Sequence, residues 1–332
     1  MYNTLLVVVF IAVLAPIASS LVGRIVRIPV VVIEILLGLL CGPAALNIVG
    51  NLELVGHIAD IGLVMLFFMA GTEIDFTSIK GRPLKRSGIG WLISIGVGVL
   101  IGIVLAPTVP AGVYIGIALS STALGTLLPV LIDAGQLHTP IGVAISAAGA
   151  VGEFGPLLAI SIFLSSRKPG AATVVVLVFG VVALAAVLLA ARGHHRRLHS
   201  IITATLHTSA QFAVRIVILI VAALVSLSIG LDLDMLLGAF AAGVVVQVLL
   251  SSAERSPAAE VKSKLDAVAF GLFVPVFFIS TGINFDLPAL LADTRSLILL
   301  GVFFVLLVVV RGLPGLLSAP PGATGKERSR RR

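Results

Sequence analysis

One carboxylate, Glu153, lies inside the apolar stretch "GAVGEFGPLLAI", and it is the side chain in this sequence best suited to do chemistry. Counting from the two ends of the apolar run places it near the middle of a lipid bilayer. A charge at that depth costs on the order of 3 kcal/mol, so such residues are functional candidates by default. Burial favours the neutral carboxyl and a nearby cation favours the charged form, so Glu153 can hold a proton or a cation. The alternative is a permanently protonated glutamate that joins helices by hydrogen bonds.

Pro156 and Arg311 are expected to shape the surroundings of this carboxylate. Pro156 has no backbone N–H, so the carbonyl of Gly152 loses its helical partner. We therefore predict a helix break at Gly152 and Pro156, with a free carbonyl beside Glu153. Arg311 follows about fifteen apolar residues in "VLLVVVRGLPGLL", so its guanidinium must pair with an acid, bind carbonyls or reach back to the membrane surface. We expect Arg311 to be the charge partner of Glu153.

The apolar segment "IGIALSSTALGTLLPVLI" holds the second group of candidate residues. Pro129 and Gly125 predict a break in this helix, because proline removes a backbone donor and glycine is a weak helix former. Unwound backbone at membrane depth occurs only where it is buried in protein or lines a cavity. Ser121, Thr122 and Thr126 would then supply oxygen ligands, which suit hard cations. The alternative is a kinked helix whose hydroxyl groups bond to its own backbone.

The elements that position these residues are membrane-spanning helices. The chain is 59% hydrophobic and 11% charged, with a mean hydropathy of +1.21, whereas soluble domains have about 45–50% apolar and about 25% charged residues. A window of roughly 19 residues finds eleven apolar spans in the sequence. The spans lie at 4–22, 28–48, 56–74, 88–107, 111–132, 139–165, 172–191, 206–230, 233–251, 266–285 and 295–317. We therefore expect an all-α polytopic membrane protein with broken helices.

The 22 Lys and Arg residues give the chain a net charge of +7. Seventeen of them fall in loops on one side of the predicted spans and three on the other. Because positive residues concentrate in cytoplasmic loops, we expect a cell-membrane protein with its N-terminus outside and a basic tail, 319–332, in the cytoplasm. This distribution accounts for the charge without a nucleic-acid partner. No nucleophile motif, phosphate-binding loop or metal-ligand spacing stands out, so we expect neither an enzyme nor a metal or cofactor site.

Two pairs of segments repeat in the same order along the chain. "EILLGLLCGP" is followed by "GLVMLFFMAGTEIDF", and the similar "DMLLGAFAAGV" is followed by "GLFVPVFFISTGINFD". The paired segments cross the membrane in opposite directions, which indicates inverted repeats of the kind that hold the ion site near the midplane of secondary transporters. The predicted organisation is a membrane domain at 1–318, made of a first repeat at 1–165, a linker helix at 166–205 and an incomplete second repeat at 206–318.

Five segments, in order, carry a resemblance to a known family: "IPVVVIEILLGLLCGP", "IADIGLVMLFFMAGTEIDF", "ALSSTALGTLLPVL", "LLGAFAAGVVV" and "VPVFFISTGINFD". Together they resemble the Na+/H+ exchanger-like membrane domain of the second monovalent cation:proton antiporter family, which includes the Kef-type transporters. The resemblance implies exchange of Na+ or K+ for H+ by a homodimer whose mobile core rocks against a dimerisation domain. It also implies that Glu153 stands in place of the ion-binding acid and Arg311 in place of a basic partner.

Two departures from the family pattern bear on this expectation. Gly152 precedes the acid where the family often has a second polar residue, so one carboxylate must serve both ions. The family also continues with two further helices after the one that holds Arg311, whereas this sequence continues with "SAPPGATGKERSRRR". The alternative function is therefore a non-transporting homologue that acts as a membrane scaffold or partner. A symporter for an organic anion is less favoured, because the spans around Glu153 contain few polar residues.

Overall fold

The structure is a computed structural model of the 332-residue chain. It describes residues 2–23, 28–49, 53–74, 79–123, 131, 135–137, 139–192, 211–251 and 255–318. All regular secondary structure in these ranges is helical.

Thirteen α-helices lie in the described ranges. They are α1 (Tyr2–Val22), α2 (Val30–Cys41), α3 (Glu53–Thr72), α4 (Arg82–Leu105), α5 (Val109–Ser120), α6 (Pro140–Phe163), α7 (Pro169–Arg192), α8 (Phe212–Gly230), α9 (Met235–Ser251), α10 (Arg255–Val268), α11 (Val274–Ile283), α12 (Leu287–Ala292) and α13 (Thr294–Gly315). A π-helical turn at Ala269–Phe273 joins α10 to α11, and a 3-10 turn at Leu316–Ser318 follows α13.

The helices match the spans expected from hydropathy. Within the described residues, eight helical segments are long and apolar enough to cross a membrane, and three shorter apolar helices are α2, α5 and α9. Each of the eleven predicted spans overlaps one of these helices, which confirms the all-α membrane architecture. Two of the short helices, α2 and α5, end before their predicted spans do. In α2 the reason is the Gly42-Pro43 pair, since proline disfavours a helical conformation at the residue before it.

Local sequence sets the starts of the two helices that carry most of the candidate residues. Before α6, the Thr139 hydroxyl accepts a hydrogen bond from the Gly142 N–H at 3.1 Å, and Pro140 takes the first helical position. Before α5, the Thr108 hydroxyl accepts from the Ala111 N–H at 3.4 Å. These hydroxyl caps satisfy N–H groups that have no partner inside the helix.

The chain divides into two compact units. The first unit comprises Met1–Thr72, Ala185–Val225 and Gly238–Ile298. In this unit α2 and α11 run side by side in the same direction, with Gly38 against the backbone of Ile279 and Gly42 against that of Ile283. The core of the unit is apolar and consists of Val8, Ile11, Val49, Val55, Ala59, Val276, Ile279 and Ile283. Small residues let the helix backbones approach closely, which is the usual basis of helix packing in membranes.

The second unit comprises Glu73–Leu184, Ser226–Leu237 and Leu299–Arg332. Its helices α4 and α5 form an antiparallel pair in which Gly98 lies against Gly116 and Gly102 against Gly112. Helix α6 packs against both α4 and α5. All the described candidate site residues belong to this unit.

Candidate functional site

Helix α6 carries Glu153 near its middle and continues through Pro156 to Phe163. The helix break that the sequence led us to expect at Gly152 and Pro156 therefore does not occur. The reason is that proline removes only one hydrogen bond, and another segment replaces it. The Thr122 N–H donates to the Gly152 carbonyl at 2.9 Å, so the freed carbonyl beside Glu153 has a partner from the end of α5.

Helix α5 ends at Ser120, and the backbone of Ser121 is already extended, with φ of −78° and ψ of 158°. The Ser120 hydroxyl donates to the Ile117 carbonyl at 2.8 Å. The Ser121 hydroxyl, which is exposed, donates to the Ala118 carbonyl at 2.8 Å. These two hydroxyl groups bond to the backbone of their own helix, which was the alternative that the sequence left open. Beyond this point the backbone leaves the helix and brings Thr122 to α6.

Arg311, on α13, connects α5 and α6. Its Nε donates to the Thr122 hydroxyl oxygen at 2.5 Å, and its Nη2 donates to the Ala148 carbonyl at 2.6 Å. The side chain is half-buried. The sequence left three arrangements open for this arginine: pairing with an acid, binding to carbonyls or reaching back to the membrane surface. The structure shows the guanidinium bonded to a carbonyl and a hydroxyl oxygen inside the protein. Hydrogen bonds from a charged donor are about twice as strong as neutral ones, so they fix the guanidinium firmly.

Gly152 makes room for this guanidinium. A Cβ atom at Gly152 would overlap Nη2 of Arg311, and it would lie 2.6 Å from the Thr122 Oγ1 and 2.9 Å from the Thr122 Cβ. Ala148 and Gly152 are four residues apart, so they share one face of α6. Glu153, which is half-buried, is the next residue around the helix from that face. Pairing of Glu153 with Arg311 remains a prediction.

The structure thus brings together three of the residues singled out from the sequence, namely Thr122, Gly152 and Arg311, and Gly152 directly precedes Glu153 in α6. Ser121 directly precedes Thr122, but its hydroxyl donates to the Ala118 carbonyl of α5. The remaining predicted site residues lie outside the described residues: Gly125, Thr126 and Pro129. Among the described residues, no group of three or more His, Cys, Asp or Glu side chains is placed to hold a metal ion.

Sequence reasoning missed two components of this site. The Ala148 carbonyl is a backbone acceptor, and no side-chain pattern marks which carbonyl a distant arginine will reach. The Trp91 indole, on α4, lies against Gly155, and its buried Nε1 has no hydrogen-bond partner among the residues that the structure describes. A possible signal was the pair of glycines, Gly152 and Gly155, that flank the acid, since glycine often marks close approach by another group.

Comparison with known proteins gives the site its context. The family described as "Sodium/hydrogen exchanger, transmembrane" matches residues 9–329. The "Putative Na(+)/H(+) antiporter YjbQ" of Bacillus subtilis is 28% identical over 332 residues, which cover 94% of this chain and 52% of YjbQ. The "Na(+)/H(+)-K(+) antiporter GerN" of Bacillus cereus is 24% identical over 266 residues, which cover 77% of this chain and 65% of GerN. The chain therefore spans about half to two thirds of the length of these relatives.

A solved structure shows the same fold. The sodium proton antiporter MjNhaP1 from Methanocaldococcus jannaschii, at pH 8, matches this structure with a TM-score of 0.63 and 18% sequence identity. The match covers 95% of this chain and 79% of that one. Because the family match extends over nearly the whole sequence and the helices follow this fold, the chain is a multi-span membrane protein and belongs to the sodium/hydrogen exchanger transmembrane family.

Proposed function

We propose that this protein exchanges a monovalent cation, Na+ or K+, for protons across the membrane. The observation that carries the proposal is the meeting of Thr122 and Arg311 at the Gly152 backbone, one residue before Glu153 in α6. The arrangement combines a carboxylate with hydroxyl and carbonyl oxygens and with one fixed positive charge. Hard monovalent cations prefer such oxygens, and a carboxylate can exchange a cation for a proton. The names of YjbQ and GerN point to the same activity in those proteins.

In the proposed mechanism, Glu153 binds either the cation or the proton. Thr122, Ser121 and Thr126 complete the cation's oxygen shell. The guanidinium, held one residue away on the neighbouring face of α6, balances the carboxylate charge when no ion is bound. Because the same carboxylate serves both ions, binding of one excludes the other. Movement of the unit that holds the site would expose it to the two sides in turn.

The proposed domain organisation rests on inverted repeats. In the first unit, Gly38 of α2 lies against α11, and Gly71 of α3 lies against the Phe240 carbonyl of α9. In the predicted repeat, α2 corresponds to α9 and α3 to α11, so these two contacts are equivalent under exchange of the repeats. This equivalence supports a first repeat at 1–165, a linker at 166–205 and a second repeat at 206–318. The proposed assembly is a homodimer in the cell membrane, with the N-terminus outside and the tail at 319–332 in the cytoplasm.

The test uses inverted membrane vesicles that contain a pH-sensitive dye. After an imposed acid load, NaCl or KCl is added, and the change in internal pH is compared between the natural chain and Glu153→Gln. Glu53→Gln is the matched control, because it makes the same substitution at an exposed position at the start of α3. We expect a cation-dependent pH change in the natural chain and in the control, and none in Glu153→Gln. A response that survives in Glu153→Gln, or no response in any variant present in the membrane, would contradict the proposal.

A further inference from the structure

Two charged residues of the second unit are each followed, three positions later, by a proline within the same helix. Pro156 follows Glu153 in α6, and Pro314 follows Arg311 in α13. Each proline lacks the N–H that would bond to the carbonyl four residues earlier. In both helices the carbonyl that loses its partner therefore belongs to the residue just before the charge. In α6 this is Gly152, and the Thr122 N–H replaces the missing donor.

In α13 the carbonyl that loses its partner belongs to Val310, and Ser94 of α4 replaces the donor. The Ser94 hydroxyl lies 2.8 Å from the Val310 carbonyl oxygen and 3.0 Å from the Gly90 carbonyl oxygen of its own helix. A hydroxyl has one proton to donate. The Gly90 carbonyl already accepts a backbone N–H of α4, as helix geometry requires, whereas the Val310 carbonyl has lost its own. We therefore assign the hydroxyl proton to the Val310 carbonyl, which has lost its backbone donor.

The contact is buried on both sides. Ser94 is fully buried and Val310 is 3% exposed, so water does not replace the hydroxyl. One turn away, Gly90 lies against the Pro314 carbonyl, where a Cβ atom would come within 2.9 Å of that oxygen. Gly90 thus allows α4 and α13 to lie close together, and Ser94 bonds them, over the turn that contains Arg311.

We propose that Ser94 is a positioning residue for Arg311, a role that rests on the proposed exchange function. By bonding to the Val310 carbonyl, Ser94 fixes the backbone from which the guanidinium extends to Thr122 and Ala148. Pro314 creates the need for this bond, because it removes the donor that a regular helix would supply. Ser94 and Pro314 are therefore coupled, and the effect of losing the hydroxyl depends on the presence of the proline.

The test is a double-mutant cycle of Ser94→Ala, Pro314→Ala and the double variant. Ser94→Ala leaves a buried carbonyl unpaired, and we expect the apparent KM for the cation to rise roughly tenfold. Pro314→Ala restores a backbone N–H for Val310, so the double variant is expected to return to within roughly twofold of the natural chain. Ser87→Ala is the matched control, since Ser87 is on the same helix and 2% exposed. It is expected to leave KM unchanged.

Thermal unfolding of the purified variants provides a readout that does not depend on transport. Ser94→Ala is expected to lower the melting temperature in the natural background and to change it little in the Pro314→Ala background. Three results for the cation KM would each overturn the proposal. They are an unchanged KM in Ser94→Ala, a KM in the double variant as high as in Ser94→Ala, and an equal rise of KM in Ser87→Ala. If the natural chain shows no exchange, the proposed function fails, and the unfolding cycle still decides whether Ser94 and Pro314 are coupled.

Discussion

The substitution Gly152→Ala tests the close approach at the site most sharply. A Cβ atom there would overlap Nη2 of Arg311 and come within 2.9 Å of two atoms of Thr122. The guanidinium is at the end of a flexible side chain and can move, but doing so breaks its 2.6 Å bond to the Ala148 carbonyl. Thr122 must move as well, and with it the N–H that bonds to the Gly152 carbonyl.

The expected magnitude follows from these contacts. Loss of one hydrogen bond from a charged donor and weakening of a neutral one cost about 3 kcal/mol together. The higher helix propensity of alanine, about 1 kcal/mol, enters the free energy of unfolding but not this balance, because α6 is helical in both arrangements. The packed arrangement of Arg311 and Thr122 on α6 is therefore disfavoured by about 3 kcal/mol, or roughly 150-fold in its equilibrium population. Cation-dependent exchange at subsaturating cation should fall by a similar factor.

Gly96→Ala is the matched control for this measurement. Gly96 is also in a helix of the second unit, and a Cβ atom there meets nothing within 4 Å. The assay is the initial rate of the pH change in dye-loaded vesicles, normalised to the amount of protein in the membrane. We expect Gly96→Ala to transport as the natural chain does. If Gly152→Ala also transports normally and melts normally, the guanidinium does not lie against Gly152, and the reasoning about the site is wrong.

Three further substitutions test other contacts. Arg311→Lys keeps the charge but cannot reach both oxygen partners, so exchange should fall roughly tenfold; a normal KM would contradict this. The Ser296 hydroxyl, and then backbone N–H groups, hold the pKa of Asp293 below its usual range. The charged Asp293 side chain therefore stabilises the start of α13 above about pH 4, and this stabilisation is lost as the pH falls through the lowered pKa. Between pH 5 and pH 3 the melting temperature should fall less in Asp293→Ala than in the natural chain. Gly38→Ala should lower the melting temperature, because its Cβ would collide with the backbone of α11 at a cost of about 1–3 kcal/mol.

Hydropathy predicted the helices well because the membrane imposes one structural solution on long apolar segments. It placed α6 at 139–165, and the helix runs from Pro140 to Phe163. It did less well where polar sequence is also helical. The last long span before α13 was predicted to begin at 266, but α10 begins at Arg255. The polar first half of α10 includes a salt bridge of 2.8 Å between Glu260 and Lys264. Such a pair, four residues apart, stabilises a helix, and a hydropathy window does not detect it.

The residue types of the candidate site could be predicted from the sequence, but their hydrogen-bond partners could not. A carboxylate and an arginine in apolar helices marked the candidate site, because both are costly in a membrane. The freed carbonyl of Gly152 followed from Pro156. That Thr122 would bond to this carbonyl, so that α6 stays continuous, depends on where the end of α5 lies in space. The same holds for the contact between Arg311 and the Ala148 carbonyl, since backbone acceptors are identical at every position of the sequence.

The most direct test of the central claim is to measure both ion fluxes of the purified chain in proteoliposomes. An outward proton gradient is imposed with the membrane potential clamped at zero, and uptake of labelled Na+ and release of protons are recorded together. We predict opposed fluxes that rise and fall together with the cation concentration, and we predict that Glu153→Gln abolishes both. Cation uptake without proton release, or opposed fluxes that persist in Glu153→Gln, would contradict exchange through this carboxylate.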